Sequence, residues 1–170
     1  IRLEKDGKHY ALDPVLSKNA LDKLTDTIQD NDVEVDLIYS LDNVGYITKD
    51  SDTSDGIPDK YQAKVVFVAG EGGTQSGEGF YKTFTDESGK YQTSGTITIP
   101  EGIIAVPADK YKFIGWTQSD NVGEGINLDN AALSSIFQGK GGETYIFTAN
   151  FAMSSIPLEP AIVRLTVNIV

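Results

Sequence analysis

Asp50-Ser51-Asp52-Thr53-Ser54-Asp55-Gly56-Ile57-Pro58-Asp59 packs four carboxylates into ten residues around one glycine. Calcium wants such a set: six to eight hard oxygen ligands offered at alternating positions of a loop, with a Gly where the chain must bend. Without a cation, like charges this close repel one another. Two readings of the segment stand side by side. In one, Asp50, Asp52, Asp55 and Asp59 ligate calcium. In the other, the stretch is a solvated polar hinge in which Asp and Ser favour turns and Pro58 stiffens the exit.

The remaining chemistry-bearing residues exclude more than they suggest. His9 is the only histidine and the chain has no cysteine, so disulfides, thiolate zinc sites and cysteine nucleophiles are ruled out. No Ser elbow accompanies His9, and a nucleophilic triad is not expected. Carboxylates are plentiful, but nothing in their spacing sets one apart as an acid and another as a base, so the chain is read as non-catalytic. The glycine-rich run from Gly70 to Gly79 fits neither nucleotide fingerprint, carries two glutamates and reads as the most flexible stretch by composition. Lys64 and Asn150 lie on segments that could flank an internal Lys-Asn isopeptide bond, yet no glutamate is assignable as its proton shuttle.

Charge narrows the partners. The 170 residues hold 14 Lys and Arg against 25 Asp and Glu, a formal −11, which repels phosphate backbones and excludes nucleic acid. Asp13 to Asp59 contains twelve of the acids and three lysines, so it carries −9. The acidity belongs to the first third of the chain and to the aspartate segment. No apolar run reaches the roughly 20 residues of a membrane helix, and no membrane insertion is expected in this segment. Ile1 at the start and the unfinished apolar alternation at Val170 read as a processed protein or an excised piece of a longer one.

Elements must hold these residues in place. Ser17 reads as an N-cap for an amphipathic helix over Asn19 to Gln29, with Leu21, Leu24 and Ile28 at helical spacing. Val33 to Tyr39 alternates as a strand. Beyond Asp59 the signals are β: Ala63–Ala69, Thr96–Ile99, Ile103–Val106, Tyr111–Thr117 and Thr144–Phe151, with a last strand at Ile162–Ile169 after Pro157 and Pro160. Asn127–Phe137, with Leu128, Ala131, Ala132, Ile136 and Phe137 on one side, reads as a helix. The fold class is therefore α+β and mainly β.

Two resemblances follow from these residues. Asp55-Gly56-Ile57-Pro58-Asp59 is similar to the second half of the calcium-binding aspartate repeats of thrombospondin type 3 and dockerin-like proteins, Asp-x-Asp-x-Asp-Gly-x-x-Asp. The first half departs, since two residues separate Asp52 from Asp55. The continuation through Lys60-Tyr61-Gln62 into Ala63–Val68 resembles a junction in large surface proteins of Gram-positive gut bacteria. The module beyond it resembles the internalin B-repeat (Listeria-Bacteroides repeat). Its marks are an opening strand running into Gly-Gly at Val65 to Gly73, the signature Tyr111-Lys112-Phe113-Ile114-Gly115-Trp116, and a closing Thr148-Ala149-Asn150-Phe151. The stretch from Phe80 to Thr93 and the expected helix at Leu128–Phe137 make it longer than that repeat.

The resemblance implies a β-grasp-like module in an exported, extracellular protein of the cell surface or cell wall, serving as a structural spacer or in cell adhesion. It divides the chain into an acidic α+β unit at 1–49, an Asp-rich hinge at 50–62, the module at 63–151 and a linker with a strand at 152–170. The implied partners are neighbouring domains of the same protein, a host or bacterial surface protein, or a glycan. The alternative function is a carbohydrate-binding module using Trp116 and neighbouring tyrosines such as Tyr111, although the resemblance places Trp116 in the core.

Overall fold

The computed structural model describes residues 2–25, 34–47, 52–119, 127–128 and 136–154. They are mainly β, 55% strand against 7% helix. The chain opens with a hairpin of β1 (Arg2–Lys5) and β2 (Lys8–Leu12). Its turn is Asp6-Gly7, both at positive φ (53° and 70°), the backbone a two-residue hairpin needs and Asp-Gly supplies. β3 (Tyr39–Leu41) joins the other side of β2.

Between them lies the single described helix, α1 (Lys18–Thr25). Ser17 stands at its N-cap position, accepting the Leu21 N–H on its carbonyl at 2.9 Å, but its hydroxyl does not cap the helix. Asp13 starts the helical run, its Oδ1 accepting the N–H groups of Val15 and Leu16 at 3.1 and 3.0 Å. The Ser17 hydroxyl instead accepts the Ile38 N–H at 2.8 Å and donates to the Ile38 carbonyl, sewing the helix start to the extended segment before β3. The expected strand over Val33–Tyr39 is thus replaced: residues 34–38 alternate in exposure but make no ladder, and the strand is Tyr39–Leu41. The end of the expected helix, and Val33, lie outside the described residues, as do Asp50 and the expected strand Ile162–Ile169.

β4 (Gly45–Ile47) and β5 (Asp52–Ser54) pair antiparallel, so part of the aspartate segment is strand rather than loop. A short 3-10 turn at Asp59–Tyr61 then leads into β6 (Gln62–Ala69). The following strands are β7 (Gly73–Gln75), β8 (Phe80–Thr83), β9 (Ser94–Thr98), β10 (Ala105–Pro107), β11 (Tyr111–Ser119), β12 (Asn127–Leu128), β13 (Ile136–Lys140) and β14 (Thr144–Met153). One sheet runs in the order β12-β11-β14-β6-β8, with β6 and β14 parallel at its centre and the other pairs antiparallel. Phe80–Thr83, expected to be part of an insertion, is its edge strand.

The helix expected at Asn127–Phe137 is corrected at both described ends. Asn127–Leu128 pairs with β11, and Ile136–Lys140 pairs along its whole length with β9. Short apolar spacing cannot tell a helix from a strand, and a partner strand decides. The β9–β13 ribbon covers the inner face of the sheet: Phe137 meets Tyr145 and Phe147 at ring separations of 5.0 and 5.7 Å, and Ile97 is fully buried with Val65, Phe84 and Phe147.

A bulge explains the aromatic signature. Phe113 opposes Phe151 and Gly115 opposes Asn150, so Ile114 is the extra residue. In a regular strand, residues three apart face opposite sides; the bulge turns Phe113 and Trp116 to the same face. Trp116 is 0% exposed and packs edge-on to Phe67. The glycine run, expected to be flexible, contains β7, which pairs with β10. Tyr111 and Phe151 lie where side chains at Gly72 and Gly73 would project.

Candidate functional site

The sequence nominates Asp50, Asp52, Asp55 and Asp59. The structure scatters the described three to different partners and recruits two aspartates that residue spacing does not single out, Asp13 and Asp42, each 0% exposed.

Asp42 and Asp59 form a reciprocal clasp. The Asp42 carboxylate accepts the N–H groups of Asp55 and Gly56 at 3.1 and 2.9 Å. The Asp59 carboxylate accepts those of Asn43 at 3.1 Å and Val44 at 3.2 Å. Each turn thus presents paired N–H donors to the other turn's acid, the geometry that suits an anion. Gly56 sits at φ 91°, which lets its N–H point that way. Asp55 accepts the Ile57 N–H at 2.9 Å and the Gln62 side-chain amide at 2.6 Å. Asp52 pairs with Lys64.

Asp13 is the second knot. Tyr61 donates its hydroxyl to Asp13 Oδ1 at 2.8 Å, Ser40 donates to Oδ2 at 2.7 Å, and Lys60 pairs with Oδ2. Burial works to raise the Asp13 pKa, but Lys60, the Leu16 N–H, Ser40 and Tyr61 together outweigh it and hold it at about 2. The same environment, burial first and then Asp13, pushes the Tyr61 hydroxyl far up. Asp59 moves the opposite way from Asp13. Its burial, with the nearby Asp42 and Asp55 charges, outweighs the two N–H donors and raises it above the ordinary value.

These ties fix the junction between the N-terminal elements and the sheet. Tyr61 is 2% exposed, stacks on Tyr91 at 5.4 Å and accepts the Phe84 N–H on its carbonyl. A calcium ion fits the described carboxylates poorly. Their oxygens are committed to N–H, amide and lysine donors, and among the described residues no group of three acids could hold a metal.

Beside the clasp lies a cleft of about 330 Å³ lined by Val44, Asp52, Asp59, Gln62, Lys64, Tyr81, Gly142, Glu143 and Thr144. Lys64 and Tyr81 face each other across the β6–β8 register, with the ammonium 5.8 Å from the ring centre. Burial, then a hydrogen bond to Asp52, raises the Tyr81 hydroxyl. Gln62 is 3% exposed; its amide nitrogen is satisfied by Asp55 and Thr83, while its Oε1 is buried with no partner. Sequence reasoning missed Gln62, Tyr81 and Glu143, because β14 brings Glu143 to β6 only through the parallel pairing of the sheet.

Other nominated residues resolve plainly. Lys64 and Asn150 do not meet: Lys64 opposes Thr144 on the β6–β14 ladder, and Asn150 donates to Gly115, Thr117 and Thr148. Trp116, buried, offers no face to a sugar. His9 lies in β2, its backbone N–H donating to Asn43 Oδ1 at 2.9 Å. Among the described residues no helix is long and apolar enough to cross a membrane. No protein-family model matches the chain, and no curated protein and no solved structure matches it.

Proposed function

We propose that the chain is a non-catalytic module of an exported bacterial cell-surface protein, a structural spacer or adhesion unit that transmits load between neighbouring domains. The observation that supports this reading is the central parallel pair of the sheet. β6 begins directly after the junction, and β14 runs beside it in the same direction, with Lys64 opposite Thr144 and Ala69 opposite Ala149. The chain enters at the start of one strand and leaves at the end of the other. Tension along the chain therefore slides the two strands past each other and loads their hydrogen bonds together rather than one at a time.

First and last strands paired in parallel at the centre of a mixed sheet also support the β-grasp-like reading of residues 63–151, with the β9–β13 ribbon lying on the inner face. The bulged Phe113–Trp116 signature in the core supports the internalin B-repeat reading. The Asp13–Tyr61 knot and the Asp42–Asp59 clasp suit a spacer because they tie the N-terminal elements to the sheet, which makes the described residues 52–62 a fastening and not a swivel. Calcium at Asp50, Asp52, Asp55 and Asp59 would have to displace Lys64, Gln62 and backbone donors from the described three.

Single-molecule pulling tests the reading. Force applied through Gln62 and Met153 is expected to unfold the module at clearly higher load than force applied through Gln62 and Thr83, which peels the antiparallel β6–β8 pair from one end. Equal loads in the two geometries would remove the mechanical argument.

A further inference from the structure

A second cleft lies where the segment after the buried Asp13 meets the turn before Tyr91. It measures about 530 Å³ and is lined by Pro14, Val15, Lys18, Gly89, Lys90 and Tyr91, a size that suits a small ligand. Tyr91 is held in place there. Its ring stacks on Tyr61 with centroids 5.4 Å apart and planes 15° from parallel, and Tyr61 is itself 2% exposed with its hydroxyl on Asp13. Tyr91 also bridges Thr85 across its turn, and the Gln92 N–H donates to the Phe84 carbonyl. A half-buried ring backed in this way is a rigid apolar platform, which loses little conformational freedom when a ligand rests against it.

The charge of the lining is opposite to that of the chain. Two of the six residues are lysines and none is an acid, in a protein of formal −11. Among the described residues no carboxylate pairs with the Lys90 ammonium. Asp86, in the same turn, is occupied: its carboxylate accepts the N–H groups of Ser88 and Lys90, the Ser88 hydroxyl and the Gln92 amide. Lys18 pairs with Asp22, but both side chains are 60% exposed, and such a surface pair is weak enough to yield to another anion.

The main chain narrows the kind of anion. The N–H groups of Val15 and Leu16 go to Asp13, those of Gly89 and Lys90 go to Asp86, and the Lys90 carbonyl accepts the Asp86 N–H. These groups are closed to an extended peptide, which binds a sheet edge through backbone pairing. The cleft keeps an aromatic ring with its hydroxyl, a proline and a valine beside it, and two ammonium groups. A pyranose offers an aromatic side chain its C–H face, and a carboxylate on that pyranose answers the lysines.

We propose that this cleft binds an acidic sugar, a pyranose bearing a carboxylate that rests against Tyr91 and pairs with Lys90 and Lys18. The inference goes beyond the spacer reading and stands on this cleft alone, since the pulling experiment neither uses nor perturbs it.

The test is an NMR titration of the isotope-labelled full chain with trigalacturonic acid, run in parallel with the neutral galactose trisaccharide and with acetyl-Glu-Glu-Glu-amide, which carries the same number of side-chain carboxylates. Saturable shifts of the Tyr91 ring and of the Gly89 and Lys90 amides are expected with the acidic sugar, tighter than with either control and weaker as salt is raised. Lys90→Gln is expected to weaken the acidic sugar roughly tenfold, the loss of one charge-assisted contact, with the rest of the spectrum unchanged. Tyr91→Leu, which keeps apolar bulk on Tyr61, is expected to weaken it by a similar factor; if that variant does not fold, Lys90→Gln alone decides. The proposal is overturned if these signals stay still up to concentrations on the order of tens of millimolar, if the neutral sugar or the acidic peptide binds as tightly, or if Lys90→Gln leaves the affinity unchanged.

Discussion

The aromatic core and the two buried aspartates of the junction, Asp13 and Asp42, are closed to water, and they are held by different physics. In the core, Phe67, Trp116 and Phe147 lie at ring separations of 5.8 and 6.5 Å around Phe67, and stability scales with apolar area removed from water. At the junction, Asp13 and Asp42 are 0% exposed, and burial alone opposes them. Each survives there because directed donors surround it, five for Asp13 if Val15, Leu16, Ser40, Lys60 and Tyr61 are taken together. The core tolerates conservative exchange of shape for shape. The junction does not, because removing one donor exposes the desolvation cost of the charge it served.

That contrast can be broken first in the core. Phe147→Ala, at a 0% exposed position contacted by Phe67 and Phe137, is expected to cost about 3–5 kcal/mol, measured by chemical denaturation at neutral pH. The loss should be independent of pH. If it changes strongly between neutral and acid conditions, the core and junction are not separable in this way.

Tyr61→Phe keeps the stack on Tyr91 and the burial but deletes the hydroxyl that donates to Asp13. About 1–3 kcal/mol is expected, smaller than the core loss and, unlike it, dependent on Asp13 being charged. The variant should also move the acid unfolding limb to higher pH, since one of the groups depressing Asp13 is gone.

The pH profile itself is the third test. Asp13 sits at about 2 in the folded chain against an ordinary 3.8. A depressed carboxylate contributes its stability in full above the unfolded value and loses it as pH falls toward the folded value. About 2 kcal/mol is therefore expected to disappear between roughly pH 4 and pH 2. Asp59, raised in the fold, has the opposite sign: it weakens the fold while charged and is relieved on protonation. Asp59→Asn should thus remove a small gain in stability on mild acidification and leave the steeper loss below it, read from melting temperature across the acid range.

The smallest expected effect is that of calcium. With the described carboxylates of the aspartate segment committed to protein donors, the melting temperature should be the same in millimolar calcium and in chelator, and calorimetry should register no heat. A calcium-dependent rise would mean that Asp52, Asp55 and Asp59 exchange their present partners for the ion, and the comparison between the two regions would then have to include a metal.

How much of this was legible in the sequence depends on whether the signal is local. The alternation of Tyr111–Thr117 and Thr144–Phe151 located β11 and β14, because a half-buried strand writes its two faces into every second residue. The concentration of acid before Asp59 was equally plain. The β1–β2 hairpin went unread although Asp6-Gly7 between alternating residues marks it. What only the tertiary structure decided has partners distant along the chain. Ile136 and Phe137 became strand because β9 lay beside them. Asp13 mattered because Tyr61 folds onto it, and Asp42 because the Asp55-Gly56 turn aims two N–H groups at it. The sequence by itself determined that this chain would be mainly β with an acidic first third. The fold alone decided which acids would be buried and what would face them, because a charge is stable away from water only among donors that the rest of the chain must carry to it.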